Sequence, residues 1–235
     1  MEDKKNNGKI DLSRLSDPDV PPLKEDFRKT FPWRIFKIMA EFIEGFEFIT
    51  DFKDKSATIW GGTRVDSDDY YYKEAEELGA LLSKEGYAVV SGGGPGIMEA
   101  ANKGAHDAGG DSIGINIQLP EGQRVNKFAN KKIGFHYFFT RKVMMSMASS
   151  VYVFFPGGYG TLDEFFEMIV LAQTQKLSHK VFIVAVGKEY WQPLFDWIKS
   201  EVYEKRKAID EKDLAIFKIV DSAEEVIEII KKENN

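Results

Sequence analysis

The chain predicts a mostly parallel α/β sheet, doubly wound, with helices on both faces. Three observations point there. Seven short runs rich in β-branched and aromatic residues alternate with stretches of helical spacing. Glycine clusters stand where several of those runs give way to a helix. The length, 235 residues, suits one sizeable domain of this kind.

In chain order, residues 1–31 are polar and carry Pro18, Pro21 and Pro22, which reads as a loosely ordered arm. Residues 32–54 read as a docking helix. There Ile35, Phe36, Met39, Phe42, Ile43 and Phe46 recur at helical spacing, a stripe expected to pack on the main domain or on another subunit. Residues 55–235 form the main domain. Its strands are expected at Ala57–Trp60, Tyr87–Ser91, Ser112–Ile117, Phe135–Phe139, Ser150–Phe155, Val181–Val186 and Ile216–Val220. Helices are expected at Tyr70–Glu85, Pro95–Ala108, Lys142–Ala148, Leu162–Leu177, Tyr190–Lys205 and Ala223–Lys232. Alternation of this kind implies parallel strands covered on both sides. Ligands of such sheets bind beyond the carboxyl ends of the strands.

Composition removes several classes of function. A net charge of -6 argues against a general nucleic-acid binder. No apolar run approaches the roughly 20 residues that span a membrane. Met1–Asn7 lacks the apolar core of a secretory signal, so a cytoplasmic protein is expected. There is no cysteine, hence no disulfide, thiolate nucleophile or thiolate-bound metal. His106, His136 and His179 lack metal-ligand spacing, and no metal is expected; His136 reads as a hydrogen-bonded core residue inside a strand. Asp66, Asp68 and Asp69 read as a turn that starts the next helix.

The chemistry-bearing motifs lie at strand ends. Gly61-Gly62-Thr63-Arg64 follows the first core strand, and Arg64 is placed to reach a phosphate. Ser91-Gly92-Gly93-Gly94-Pro95-Gly96-Ile97-Met98-Glu99 follows the second, with Pro95 suited to the first helical position. It lacks the third glycine of a dinucleotide fingerprint, and the chain has no Walker A sequence. Pro156-Gly157-Gly158-Tyr159-Gly160-Thr161-Leu162-Asp163-Glu164 follows the fifth strand. Strand, glycine turn and helix together aim backbone N–H groups and a helix dipole at an anion. The competing reading of Thr161–Glu164 is a capping box, with Thr161 bonding forward and Glu164 reaching back. Thr140-Arg141-Lys142 puts two cations at a helix start, which opposes the helix dipole unless an anion or an acidic partner stands nearby. Met144, Met145 and Met147 read as core packing.

Assembled, these loops resemble the Lonely Guy (LOG) family, cytokinin riboside 5'-monophosphate phosphoribohydrolases often labelled "possible lysine decarboxylase". The family's Pro-Gly-Gly-x-Gly-Thr-x-x-Glu is matched by Pro156 to Glu164, and its Arg-Lys-x-x-Met by Arg141 to Met145. Its Gly-Gly-Gly-x-x-Gly-Leu-Met loop is approached by Gly92 to Met98, one residue tighter. Gly61-Gly62-Thr63-Arg64 departs from the Gly-Ser-x-x-Gly of plant-type members, and residues 1–50 resemble the longer bacterial subgroup. The resemblance implies a Rossmann-like nucleotide-binding domain that hydrolyses the N-glycosidic bond of a purine or cytokinin nucleoside 5'-monophosphate. It implies catalytic roles for Arg141 and Glu164. Substrate and phosphate contacts would come from Gly92, Gly93, Gly94, Lys142, Gly157, Gly158, Gly160 and Thr161, with Arg64, Met98 and Glu99 at the margin. No cofactor, no nucleic acid and no membrane partner are implied; a small-molecule nucleotide substrate and a homo-oligomer are. The rival is a nucleotide or molybdenum-cofactor carrier without turnover.

Overall fold

The computed structural model describes residues 31–52, 55–118, 125–177 and 180–233. The expected arm (up to residue 30) and His179 lie outside the described residues.

Seven strands form one sheet: β1 Ser56–Trp60, β2 Ala88–Ser91, β3 Ser112–Ile117, β4 Lys131–Phe135, β5 Val151–Phe154, β6 Phe182–Val186 and β7 Phe217–Val220. Their spatial order is β4-β3-β2-β1-β5-β6-β7, and every neighbouring pair is parallel. The chain winds outward from β1 to β4, then returns to β1 with β5 and winds the other way. Ile59 is thus flanked by Ser91 of β2 and Val153 of β5. That reversal falls between β1 and β5, and the carboxyl ends of the strands at such a switch are the place where this architecture binds ligands. Six of the seven expected runs became strands, and β1, β2, β3 and β5 are buried along their whole length, so they need no polar alternation.

Helices α2 Tyr70–Lys84, α3 Ile97–Asp107 and α7 Ala223–Glu233 cover one face. Helices α1 Phe31–Thr50, α4 Phe138–Met147, α5 Tyr159–Gln173 and α6 Lys188–Trp197 cover the other. The sheet separates two cores, one around Ile59, Val89 and Val153, the other around Trp60, Tyr152 and Phe154. Asp69 caps α2 by accepting a 2.7 Å hydrogen bond from the Tyr71 N–H, as its turn predicts. The expected single helix Tyr190–Lys205 is α6 followed by a π-helical segment, Ile198–Lys205.

Three expectations are corrected. The aromatic run Phe135–Phe139 is not a strand: β4 ends at Phe135, α4 begins at Phe138, and His136 sits in the bend between them. The cause is remote in sequence. Glu41 of α1 accepts the N–H groups of His136 (2.8 Å) and Tyr137 (3.4 Å) and the Thr140 hydroxyl, which starts the helix early. Second, α1 turns a different face inward. Lys37, Glu41, Gly45 and Ile49, spaced four apart, are buried, whereas Ile35, Phe36, Met39, Ile43 and Phe46 of the expected docking stripe are exposed. Third, α3 starts at Ile97 behind Gly96, so Pro95 precedes the cap and does not occupy the first helical position.

Candidate active site

The three glycine loops meet at the switch between β1 and β5. The Gly62 N–H donates to the Pro156 carbonyl at 2.9 Å, which ties the loop after β1 to the loop after β5. The Gly62 carbonyl in turn accepts the Ile97 N–H at 3.0 Å, which joins both to the start of α3. Gly96 makes that approach possible. Its φ is +69°, and a Cβ there would strike the Gly62 carbonyl. The loop after β2 is held by a buried polar network. Asn102 accepts the Ser91 hydroxyl (2.6 Å) and the Asn126 amide (2.9 Å) and donates to Ser112 (2.9 Å). The Asn126 N–H donates to the Gly93 carbonyl at 2.7 Å, and its side chain to the Gly94 carbonyl at 3.2 Å.

Arg141, fourth residue of α4, reaches across to this loop. Its Nε donates to the Ile115 carbonyl on β3 at 2.9 Å. Its guanidinium lies against Gly92, in space that a Cβ at that position would fill, and the Met98 sulfur borders the same space. Residue 92 is glycine because the arginine needs the room.

Glu164, sixth residue of α5, faces the same guanidinium with Oε1 3.8 Å from Nη1. Both side chains are largely enclosed, 12% and 18% exposed for Arg141 and Glu164. Burial raises the Glu164 carboxyl to about 7; the Arg141 charge opposes that rise without cancelling it. Burial also lowers the pKa of Arg141, against the pull of Glu164. The result is an acid poised near neutrality beside a fixed cation.

The capping box does not form. Helix α5 begins at Tyr159 behind Gly158, with no side-chain cap. Thr161 is therefore the third helical residue, buried with its hydroxyl against Gly157, and Glu164 is free of any capping duty. Gly158 and Gly160 are exposed with open space where a side chain would stand. The Gly157 carbonyl is held by the Tyr190 hydroxyl at 2.8 Å. An uncapped helix start with small residues at its mouth presents N–H groups to an anion.

The remaining expected residues are more peripheral. Lys142 is clamped by Asp163 (2.8 Å) and Glu167 (2.9 Å), so it joins α4 to α5. Arg64 is exposed at the rim. The Glu99 carboxylate takes a long hydrogen bond, 3.4 Å, from the Tyr72 hydroxyl. Sequence reasoning missed Glu41 and Asn126. Glu41 had one signal, an acid in the middle of an apolar helical pattern; Asn126, in an irregular segment, had none.

The family model described as "Possible lysine decarboxylase" matches residues 98–230, more than half of the chain. A rice (Oryza sativa subsp. japonica) protein named "Probable cytokinin riboside 5'-monophosphate phosphoribohydrolase" is 30% identical over 139 residues, covering 57% of this chain and 55% of that protein. The chain thus spans about half the length of that relative. A Rhodococcoides fascians cytokinin riboside 5'-monophosphate phosphoribohydrolase is 26% identical over 156 residues, 64% of this chain and 77% of that protein. Among solved structures, a molybdenum cofactor binding protein from Rippkaea orientalis aligns with TM-score 0.56 at 25% identity, covering 77% of this chain and 98% of that one. The Chlamydomonas reinhardtii molybdenum cofactor carrier protein aligns with TM-score 0.57 at 21% identity, over 76% and 96% of the two chains, a likeness of fold. With its glycine loops, its Arg141–Glu164 pair and a match over residues 98–230, the chain belongs to the LOG family.

Proposed function

We propose that this protein hydrolyses the N-glycosidic bond of a purine or cytokinin nucleoside 5'-monophosphate, giving free base and ribose 5-phosphate. The observation that carries the reading is Glu164: largely enclosed, uncommitted to capping and facing Arg141 beside the open start of α5. Water adds across the C1'–N bond, its hydroxyl to C1' and its proton to the departing base. Positive charge grows on the ribose as the bond lengthens. Ionised Glu164 stabilises that charge or takes the proton from the attacking water, as carboxylates do in glycosidases. Arg141 orients the ribose or stabilises the leaving base. Gly157, Gly158 and Gly160 and the Thr161 hydroxyl bind the 5'-phosphate, and Gly92, Gly93 and Gly94 line the nucleotide. Binding of the unreacting phosphate positions the bond to be cut. Lys142 supports this by fixing α4 against α5. The protein works in this reading as a cytoplasmic homo-oligomer.

The lysine decarboxylase description implies pyridoxal phosphate bound as a lysine imine. Lys142 does not fit that part. Burial works against its charge, but the hydrogen bonds it donates to Asp163 and Glu167 outweigh that and raise its pKa, which keeps the amine protonated. A second reading, a nucleotide or molybdenum-cofactor carrier, is supported by the likeness to the Rippkaea orientalis protein. Against it stands a carboxylate that would repel an anionic cargo once ionised.

The test is incubation of the protein with AMP or isopentenyladenosine monophosphate, with free base followed by chromatography and Glu164→Gln as control. Base released by wild type alone is the expected result. Saturable nucleotide binding without release would favour the carrier.

A further inference from the structure

Helix α5 starts on a bare glycine corner. Gly158 stands at its cap with an extended backbone (φ -95°, ψ -161°) and no side-chain bond, and Gly160 follows within the first turn. Glycine gives such a corner more conformations to choose from than any other residue. An anion site works best when its donors are aimed before the ligand arrives. Contacts from outside α5 have to supply that order.

Two hydrogen bonds reach the corner from neighbouring elements. The Pro156 carbonyl accepts the Gly62 N–H at 2.9 Å, a backbone bond that survives most changes of side chain. The Gly157 carbonyl accepts the Tyr190 hydroxyl at 2.8 Å, and that bond hangs on one phenolic oxygen. Its effect passes through the peptide plane. The Gly157 carbonyl and the Gly158 N–H belong to one planar trans unit and point in opposite directions. Fixing the carbonyl towards Tyr190 therefore turns the Gly158 N–H away from α6. The space beside Gly158 is open.

Tyr190 is itself firmly placed. It is the third residue of α6, and its half-buried ring packs against the core that holds Phe165 and Trp191. The start of α6 is tied down in turn. The Gly187 N–H donates to the Val220 carbonyl of β7 at 2.8 Å, and the Lys188 N–H to the Asp221 carboxylate at 2.8 Å. The hydroxyl thus anchors the corner to β6 and β7, strands that carry none of the three glycine loops.

We propose that Tyr190 is a positioning residue for the phosphate. Its hydroxyl, acting through the Gly157 peptide, aims the Gly158 N–H at the 5'-phosphate and so sets the preference for a phosphorylated nucleoside over a free one. The proposal rests on the reading of the α5 start as the phosphate site. It adds no group that touches the bond being cut.

The test compares the full chain with Tyr190→Phe, which keeps the ring and removes one oxygen. Affinities for AMP and for adenosine are measured by calorimetry, base release from AMP is followed alongside, and thermal melting checks the fold. One lost hydrogen bond should weaken AMP binding about fivefold. Adenosine should lose much less, and KM for AMP should rise by more than kcat falls. Equal AMP affinity in the two proteins would overturn the proposal, because the glycine corner would then hold itself. So would an equal loss for AMP and adenosine, which would make the hydroxyl a general support of the fold. Wild type that binds AMP no better than adenosine would remove the phosphate site and the proposal with it. Tight AMP binding without base release would sink the hydrolase reading alone, since the affinities still decide the part played by Tyr190.

Discussion

At Glu164, burial and a neighbouring guanidinium pull the carboxyl in opposite directions, and burial prevails with a pKa of about 7 against 4.5 for an ordinary glutamate. The folded state therefore favours the protonated acid. The corresponding stability is fully present below about pH 4.5 and is lost as pH rises through about 7. Its size is at most about 3 kcal/mol. Urea unfolding at pH 5 and pH 8 is expected to show wild type losing stability relative to Glu164→Gln over that interval. If Glu164 acts as a carboxylate, kcat/KM rises with pH through the same value. A flat rate profile together with parallel stabilities would mean that the carboxyl is already ionised at pH 5. Glu164 and Arg141 were each legible in the sequence, because each sits at a fixed place in a motif. Their meeting was not legible: a capping box and a carboxylate free of capping share one spelling, and only the helix start at Tyr159 separates them.

Helix α4 shows how an element's limits depend on a distant residue. Its aromatic start has the look of a strand, and no local side chain caps it. The cap comes from Glu41, 1% exposed, with Lys37 as its nearby charge. Burial raises the Glu41 pKa, and the bonds from Thr140, His136 and Tyr137 hold it back. Glu41→Ala leaves two N–H groups without their acceptor beside a buried lysine, while the Thr140 hydroxyl keeps the Tyr137 carbonyl. A loss of about 2–4 kcal/mol is expected. Glu41→Gln, which keeps an acceptor, should lose less than half as much. Because α4 carries Arg141, Glu41→Ala should also lower kcat more than it raises KM. Equal stability of the two variants with unchanged kcat would show that α4 holds its start unaided. Periodicity placed β3 at its observed bounds and the other elements that local pattern controls within a few residues of theirs. It failed at β4 and α4 because the deciding contact spans some ninety residues.

For the whole molecule, the order β4-β3-β2-β1-β5-β6-β7 turns scattered motifs into one site. Loops after β1, β2 and β5, far apart in sequence, share a crevice because those three strands are adjacent. The alternating pattern announced the parallel sheet, but strand order was not readable from it. The outward turn of the α1 stripe was hidden for a similar reason: a helix with apolar residues on more than one side does not say which side faces the core. One claim underlies the functional account, that the glycine start of α5 and the Arg141–Glu164 pair serve a single phosphorylated substrate. It is tested most directly by kcat/KM for AMP and for adenosine, measured with wild type and with Glu164→Gln. The account predicts base release from AMP by wild type, a rate at least 100-fold lower on adenosine, and loss of release in Glu164→Gln. Equal cleavage of AMP and adenosine, or an active Glu164→Gln, would contradict it.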